Sequence, residues 1–205
     1  MRSHGWGGQP PADSDEARRR ILSATRARLT AAGTTSTSDI AELLGVTRQT
    51  VYRYFPTTED LLNAAAMDAV GELQEQLVQH VVDHLADGSG DASAAVVEVV
   101  AYVYEHLRDD PVMNRLIAPG RISSTVAGLT APSSIVLGGK LLAGFGIDWA
   151  DVGLTEDEQL ELVEHLLRML QSFVLDPGDP ARTGEELRAY LRRWVAPALR
   201  APSAL

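Results

Sequence analysis

Apolar residues recur along this chain at intervals of three and four, the spacing of amphipathic helices, from about residue 17 to residue 199. The first run starts at Ala17, turns Ile21, Leu22, Ala24 and Leu29 to one side, and stops at Gly33. Ile40 and Ala41 then mark the inner face of a short helix closed by Leu44. Gly45 and Val46 make a turn, and a helix from Thr47 returns Val51 and Tyr54 to the same core. Gly45 permits the tight reversal, and Ala41 is small enough for the two helices to cross closely. The segment reads as a helix-turn-helix.

Pro56 stops that second helix, and Thr57 caps the next, with Asp60 three residues on as in a capping box. The long helix that follows is expected to reach about Ala86, with Leu62, Ala66, Ala69, Leu73, Leu77, Val81 and Leu85 along one side. Residues 87–90, rich in Gly, break it. A further helix over about 92–109 carries Val96, Val99, Val100, Val103, Tyr104 and Leu107. Pro111 begins a short helix ending near Pro119, and two more are expected over 121–130 and 133–149, with Pro132 between them. Thr155 and Glu158 form a capping box for a helix whose apolar residues, Leu160 through Val174, cover more than one face. After a break at 176–180, Thr183 and Glu186 read as a second capping box, followed by Leu187, Tyr190, Leu191, Trp194, Val195 and Ala198. The expected fold is all-α: a three-helix domain over 16–56 and a helical domain over 57–205. Residues 1–15, mostly Gly, Pro and polar, read as a mobile tail in which Trp6 is a stray aromatic, the alternative being a docking contact.

The outward positions of the helix from Thr47 are Arg48, Gln49, Thr50, Tyr52 and Arg53, without an acid among them. Arg and Gln can pair bidentately with guanine and adenine edges, so this face has the chemistry of a helix that enters a DNA major groove. The net charge of −10 agrees once it is divided along the chain. Residues 1–56 carry eight Arg against five acids, or +3, while residues 57–205 carry −13. The positive field is confined to the segment that would face phosphate, and the acidic remainder would orient it.

The run from Tyr52 to Leu62, YRYFPTTEDLL, resembles the signature of the TetR family of one-component transcriptional repressors, in which a Tyr-x-Tyr-Phe sequence ends the recognition helix. The segment from Ala17 to Gly33 resembles that family's first helix, so the resemblance covers about residues 16 to 62. It implies that Tyr52 and Tyr54 donate to phosphates, that Arg48 and Gln49 read bases, and that Thr37 and Ser38 touch the backbone. Thr50 and Arg53 complete the expected DNA-binding face. Where the family usually carries Lys, this chain has Thr58, whose neutral hydroxyl can still donate to phosphate. The resemblance further implies a homodimer on an inverted-repeat operator and an unknown small-molecule effector in the helical body. Met67, Tyr102, Met113, Phe145, Trp149, Met169 and Phe173 are the candidates to line an effector cavity. In the family the last two helices pair with their symmetry mates. Leu166, Leu170, Phe173, Leu187, Leu191 and Trp194 supply the apolar surface that such an interface requires.

Other chemistry is thin. There is no cysteine, hence no disulfide and no thiol nucleophile. His80 and His84 share one helix face, but no third metal ligand can be named, so neither a metal site nor a cofactor is expected. Gly138, Gly139 and Lys140 suggest a phosphate loop, yet Leu141 follows where Ser or Thr is needed. The glycines read instead as a place where two helices approach. No G-x-S-x-G turn is present, so catalysis has no support. No stretch has the length of a membrane span or a signal peptide, which points to a cytoplasmic protein. The alternative reading is an interaction or adaptor module of the same fold with weak DNA binding.

Overall fold

The computed structural model describes residues 5–86, 91–114 and 130–199. Among these residues there are eight α-helices and no strand: α1 Ser14–Ala32, α2 Thr37–Leu43, α3 Arg48–Tyr54, α4 Thr58–Ala86, α5 Ala92–Asp109, α6 Pro132–Ala143, α7 Glu156–Leu175 and α8 Gly184–Trp194. Short 3-10 turns lie at Trp6–Gly8 and Ala196–Leu199. Two compact units divide the chain, Met1–Gly71 with Asp110–Leu116 and Glu72–Asp109 with Ile117–Leu205.

The first unit holds α1, α2, α3 and the start of α4. Its core joins Ile21 and Leu22 of α1, Ile40 and Ala41 of α2, Val51 and Phe55 of α3 and its end, and Leu61 and Ala65 of α4. Leu61 and Ala65 of α4 complete this core, and the unit runs on to Gly71. Local signals end the helices as expected. Gly33 closes α1 in the left-handed region at φ 69°, its N–H donating to the Leu29 carbonyl. Thr57 and Asp60 exchange the hydrogen bonds of a capping box at 3.0 and 3.1 Å.

The second unit packs α5 against α7 and α8, and α6 against α7. A Cβ on Gly139 would stand 2.9 Å from Leu160, and one on Gly138 would run into Val163. These glycines therefore serve close helix packing. Thr155 and Glu158 form their capping box, but Thr183 makes no side-chain cap. There the first free N–H of α8, that of Gly184, donates at 2.6 Å to the Glu105 carboxylate on α5. A distant partner has replaced the local one.

Glu105 belongs to a polar cluster within this unit. Arg188 of α8 donates to Glu98 through Nε at 2.8 Å and a second nitrogen at 2.7 Å, and to Glu105 at 3.1 Å. His80 Nε2 lies 2.7 Å from Glu98, and its ring stacks on Tyr102 at 4.2 Å. Burial penalises the Glu98 carboxylate, yet the hydrogen bonds and charges of Arg188 and His80 outweigh that and hold it at about 2. Arg188 is pushed up, chiefly by its hydrogen bonds to Glu98.

Candidate nucleic-acid interface

Helix α3 has two faces of opposite character. Thr47 caps it, accepting from the Thr50 N–H at 3.2 Å, while its hydroxyl meets that of Thr50 at 2.9 Å. Val51 and, just beyond the helix, Phe55 are buried in the core, and the Arg18 guanidinium lies over the Phe55 ring at 4.5 Å. Buried anchors and a capped start hold the helix in place. Its other face exposes Arg48, Gln49, Tyr52 and Arg53 to solvent, with no carboxylate on it. Arg53 donates to the Tyr54 hydroxyl at 3.1 Å and lies over that ring, so the two form one cationic and aromatic surface.

The remaining expected DNA contacts divide. Thr50, Tyr54, Ser38 and Thr58 are half-buried. Thr37 is only 1% exposed and faces the interior, so its side chain is not available to a phosphate. Ser36, not foreseen, is the residue that caps α2, in a reciprocal box with Asp39. The Ser-x-x-Asp spacing was the signal for it.

The residues expected to line an effector cavity do not gather at one place. Met67 is 53% exposed and Met113 is buried, both in the first unit. In the second unit, Tyr102 stacks between His80 and His106, while Phe173 packs on Tyr104 and Tyr190. Trp149 is buried with its indole N–H on the Leu142 carbonyl at 3.2 Å, Phe145 is buried, and Met169 is half-buried. An open cleft of about 570 Å³ adjoins Trp149 and the start of α7, and only Trp149 of the seven lines it. Most of the residues expected at a dimer interface are buried within the single chain. Leu187 and Leu191 are fully buried within the chain, and Leu166 and Leu170 nearly so. Their stripes close the chain's own core, and they have little area left to give a partner. Of the six, Trp194 is the exposed one, at 67%. Among the described residues no group of three or more potential ligands stands ready for a metal, and His80 is engaged by Glu98.

A helix-turn-helix with a rigidly seated, cationic second helix defines the class: a DNA-binding transcriptional regulator. Residues 21–65 match the family model for bacterial regulatory proteins of the tetR family, the segment that builds the first unit's core. Over this segment the chain is similar to the TetR family. Among solved structures it is similar to the TetR family repressor AlkX from Dietzia sp. strain DQ12-45-1b, implicated in biodegradation of n-alkanes. That match has 20% identity and a TM-score of 0.59, over 93% of this chain and 97% of that one. The likeness in fold therefore extends through the helical body. Mycobacterium smegmatis AmtR overlaps more loosely, with a TM-score of 0.41 at 22% identity over 95% of this chain and 92% of its own. No curated protein sequence matches the chain. No helix among the described residues is long and apolar enough to cross a membrane.

Proposed function

We propose that the chain is a ligand-responsive repressor that binds an inverted-repeat operator as a homodimer. The observation that carries this reading is the two-faced helix α3, anchored by Val51 and Phe55 and exposing Arg48, Gln49, Tyr52 and Arg53. Arg48 and Gln49 read base edges in the major groove. Tyr52, Tyr54 and Arg53 hold phosphates, with Ser38, Thr50 and Thr58 at the margin, and these contacts fix the register of the helix on the duplex. The dimer is proposed to form through the outward sides of α7 and α8, where Leu160, Leu175 and Trp194 are exposed large apolar residues. A twofold axis then requires two half-sites, about one helical turn apart or a modest multiple of it. An effector taken up by the body shifts the population toward a state with lower operator affinity. Helix α4 has its first half in one unit and its second in the other, and so supplies the covalent path.

Selection of bound fragments from a random DNA pool tests this. An enriched inverted repeat, bound with two subunits and weakening steeply with salt, is the expected result. A pool that stays random after repeated rounds would overturn the reading.

A further inference from the structure

Residues Gly5 to Gln9 lie against the helix-turn-helix rather than trailing from it. The Trp6 N–H donates to the Leu44 carbonyl at 2.7 Å, satisfying an acceptor left over at the end of α2. The Trp6 side chain packs on the head's core alongside Leu44 and Val46. Gly5 sits so close to the turn that a Cβ would stand 2.9 Å from the Gly45 carbonyl oxygen and 3.2 Å from Val46 Cγ1. At the other end of the segment, the Gln9 carbonyl accepts from Arg20 of α1 at 2.6 Å. Trp6 holds a left-handed φ of 68°, which a bulky side chain adopts only where its surroundings enforce it.

The Gly5 and Trp6 contacts bear on the turn that joins α2 to α3, while the Gln9 contact ties the segment to α1. Val46 bonds back to Ala41 at 2.9 Å and Gly45 to Glu42 at 3.0 Å, and the turn delivers the chain directly to Thr47 and Arg48. We propose that Gly5–Gln9 is a strap that pre-organises the α2–α3 turn and so positions α3 for DNA, with Trp6 as its positioning residue. The proposal rests on the DNA-binding reading above. A turn held before binding has less freedom to lose on the operator, which is a gain in affinity without any contact to DNA.

Four full-length proteins test it: wild type, Trp6→Ala, Gly5→Ala and Trp6→Phe, all measured well below their unfolding temperatures. Trp6→Ala and Gly5→Ala should bind the operator selected by wild type about tenfold more weakly, the scale of re-ordering a few loop residues. The salt slope should stay unchanged, because no phosphate contact is removed. Amide exchange at Gly45 and Val46 should accelerate in the DNA-free variants, and Trp6→Phe should restore most of both properties. Wild-type affinity in Trp6→Ala, or unaltered exchange at the turn, overturns the strap. A shallower salt slope overturns it too, since the segment would then be touching DNA itself. If wild type selects no DNA, the DNA-binding reading fails, and the exchange measurement still reports whether the segment holds the turn.

Discussion

The head and the body of this protein are built on different principles, although both are helical. The head buries an apolar core of eight residues drawn from four helices and keeps its charged groups outside. The body buries Glu98 and most of Arg188 in its interior and ties three elements together through them, His80 on α4, Glu98 on α5 and Arg188 on α8. An apolar core holds α3 in one orientation without specifying a partner, which suits a surface that must fit a rigid duplex. A buried ion pair is seldom the most stable way to fill a core. Its strength depends on geometry, so it favours one arrangement of the helices it joins.

The largest expected effect separates these designs. Arg188→Met should leave Glu98 buried beside His80 without its main partner, at a cost of about 3–5 kcal/mol to the body in chemical denaturation. Adding Glu98→Leu to it should recover most of that loss, because the unpaired charge is removed along with its partner. A double variant as unstable as the single one would show that the pair is not the source of the cost.

Acid provides a second break. The Glu98 carboxyl lies at about 2 in the folded chain, below the ordinary value of 4.5. Its contribution is therefore complete above about pH 4.5 and is lost as the pH falls toward 2. The loss is on the order of 3 kcal/mol, at about 1.4 kcal/mol per unit. Denaturation curves at pH 7, 4 and 3 should show a growing part of this loss in wild type, about 2 kcal/mol by pH 3, and a much flatter dependence in Glu98→Gln.

What the sequence disclosed follows the same divide. Gly33, the Thr57–Asp60 box, the turn at Gly45 and the Thr155–Glu158 box each depend on residues within four positions, and each is found as expected. The outward face of α3 was legible because Val51 and Tyr54, near neighbours, fix which side points inward; Val51 is buried and Tyr54 half-buried. Features that depend on distant partners were not. Thr183 has the spacing of a cap, yet Glu105, 79 residues away, takes the Gly184 N–H. The Glu98–Arg188 pair spans 90 residues, and no periodicity announces it. Likewise, the stripes containing Leu166, Leu170, Leu187 and Leu191 show an apolar side, but period alone does not say whether that side meets its own chain or a second copy. Trp6 had no pattern around it at all, since a single docked aromatic among Gly and Pro leaves no repeat to detect.

The smallest expected effect concerns the edge of the head. Thr58 is the first residue of α4, half-exposed. Thr58→Lys places a cation at a helix N-terminus, costing up to about 1 kcal/mol of fold stability at an exposed site. Operator affinity should rise, and the salt slope should steepen by about one phosphate per subunit. Titration at several salt concentrations reads both quantities. An unchanged slope would place position 58 away from the backbone.

The central claim is that α3 is the surface that reads DNA, and its most direct test compares Arg48→Ala with Tyr52→Ala on the selected operator and on single-base variants of it. Arg48→Ala should lose about 1–3 kcal/mol on the operator and discriminate less at one base position per half-site. Tyr52→Ala should weaken all the sequences alike, because a phosphate contact carries no base information. Binding by the Arg48→Ala, Tyr52→Ala double variant with the affinity and preference of wild type would contradict the account.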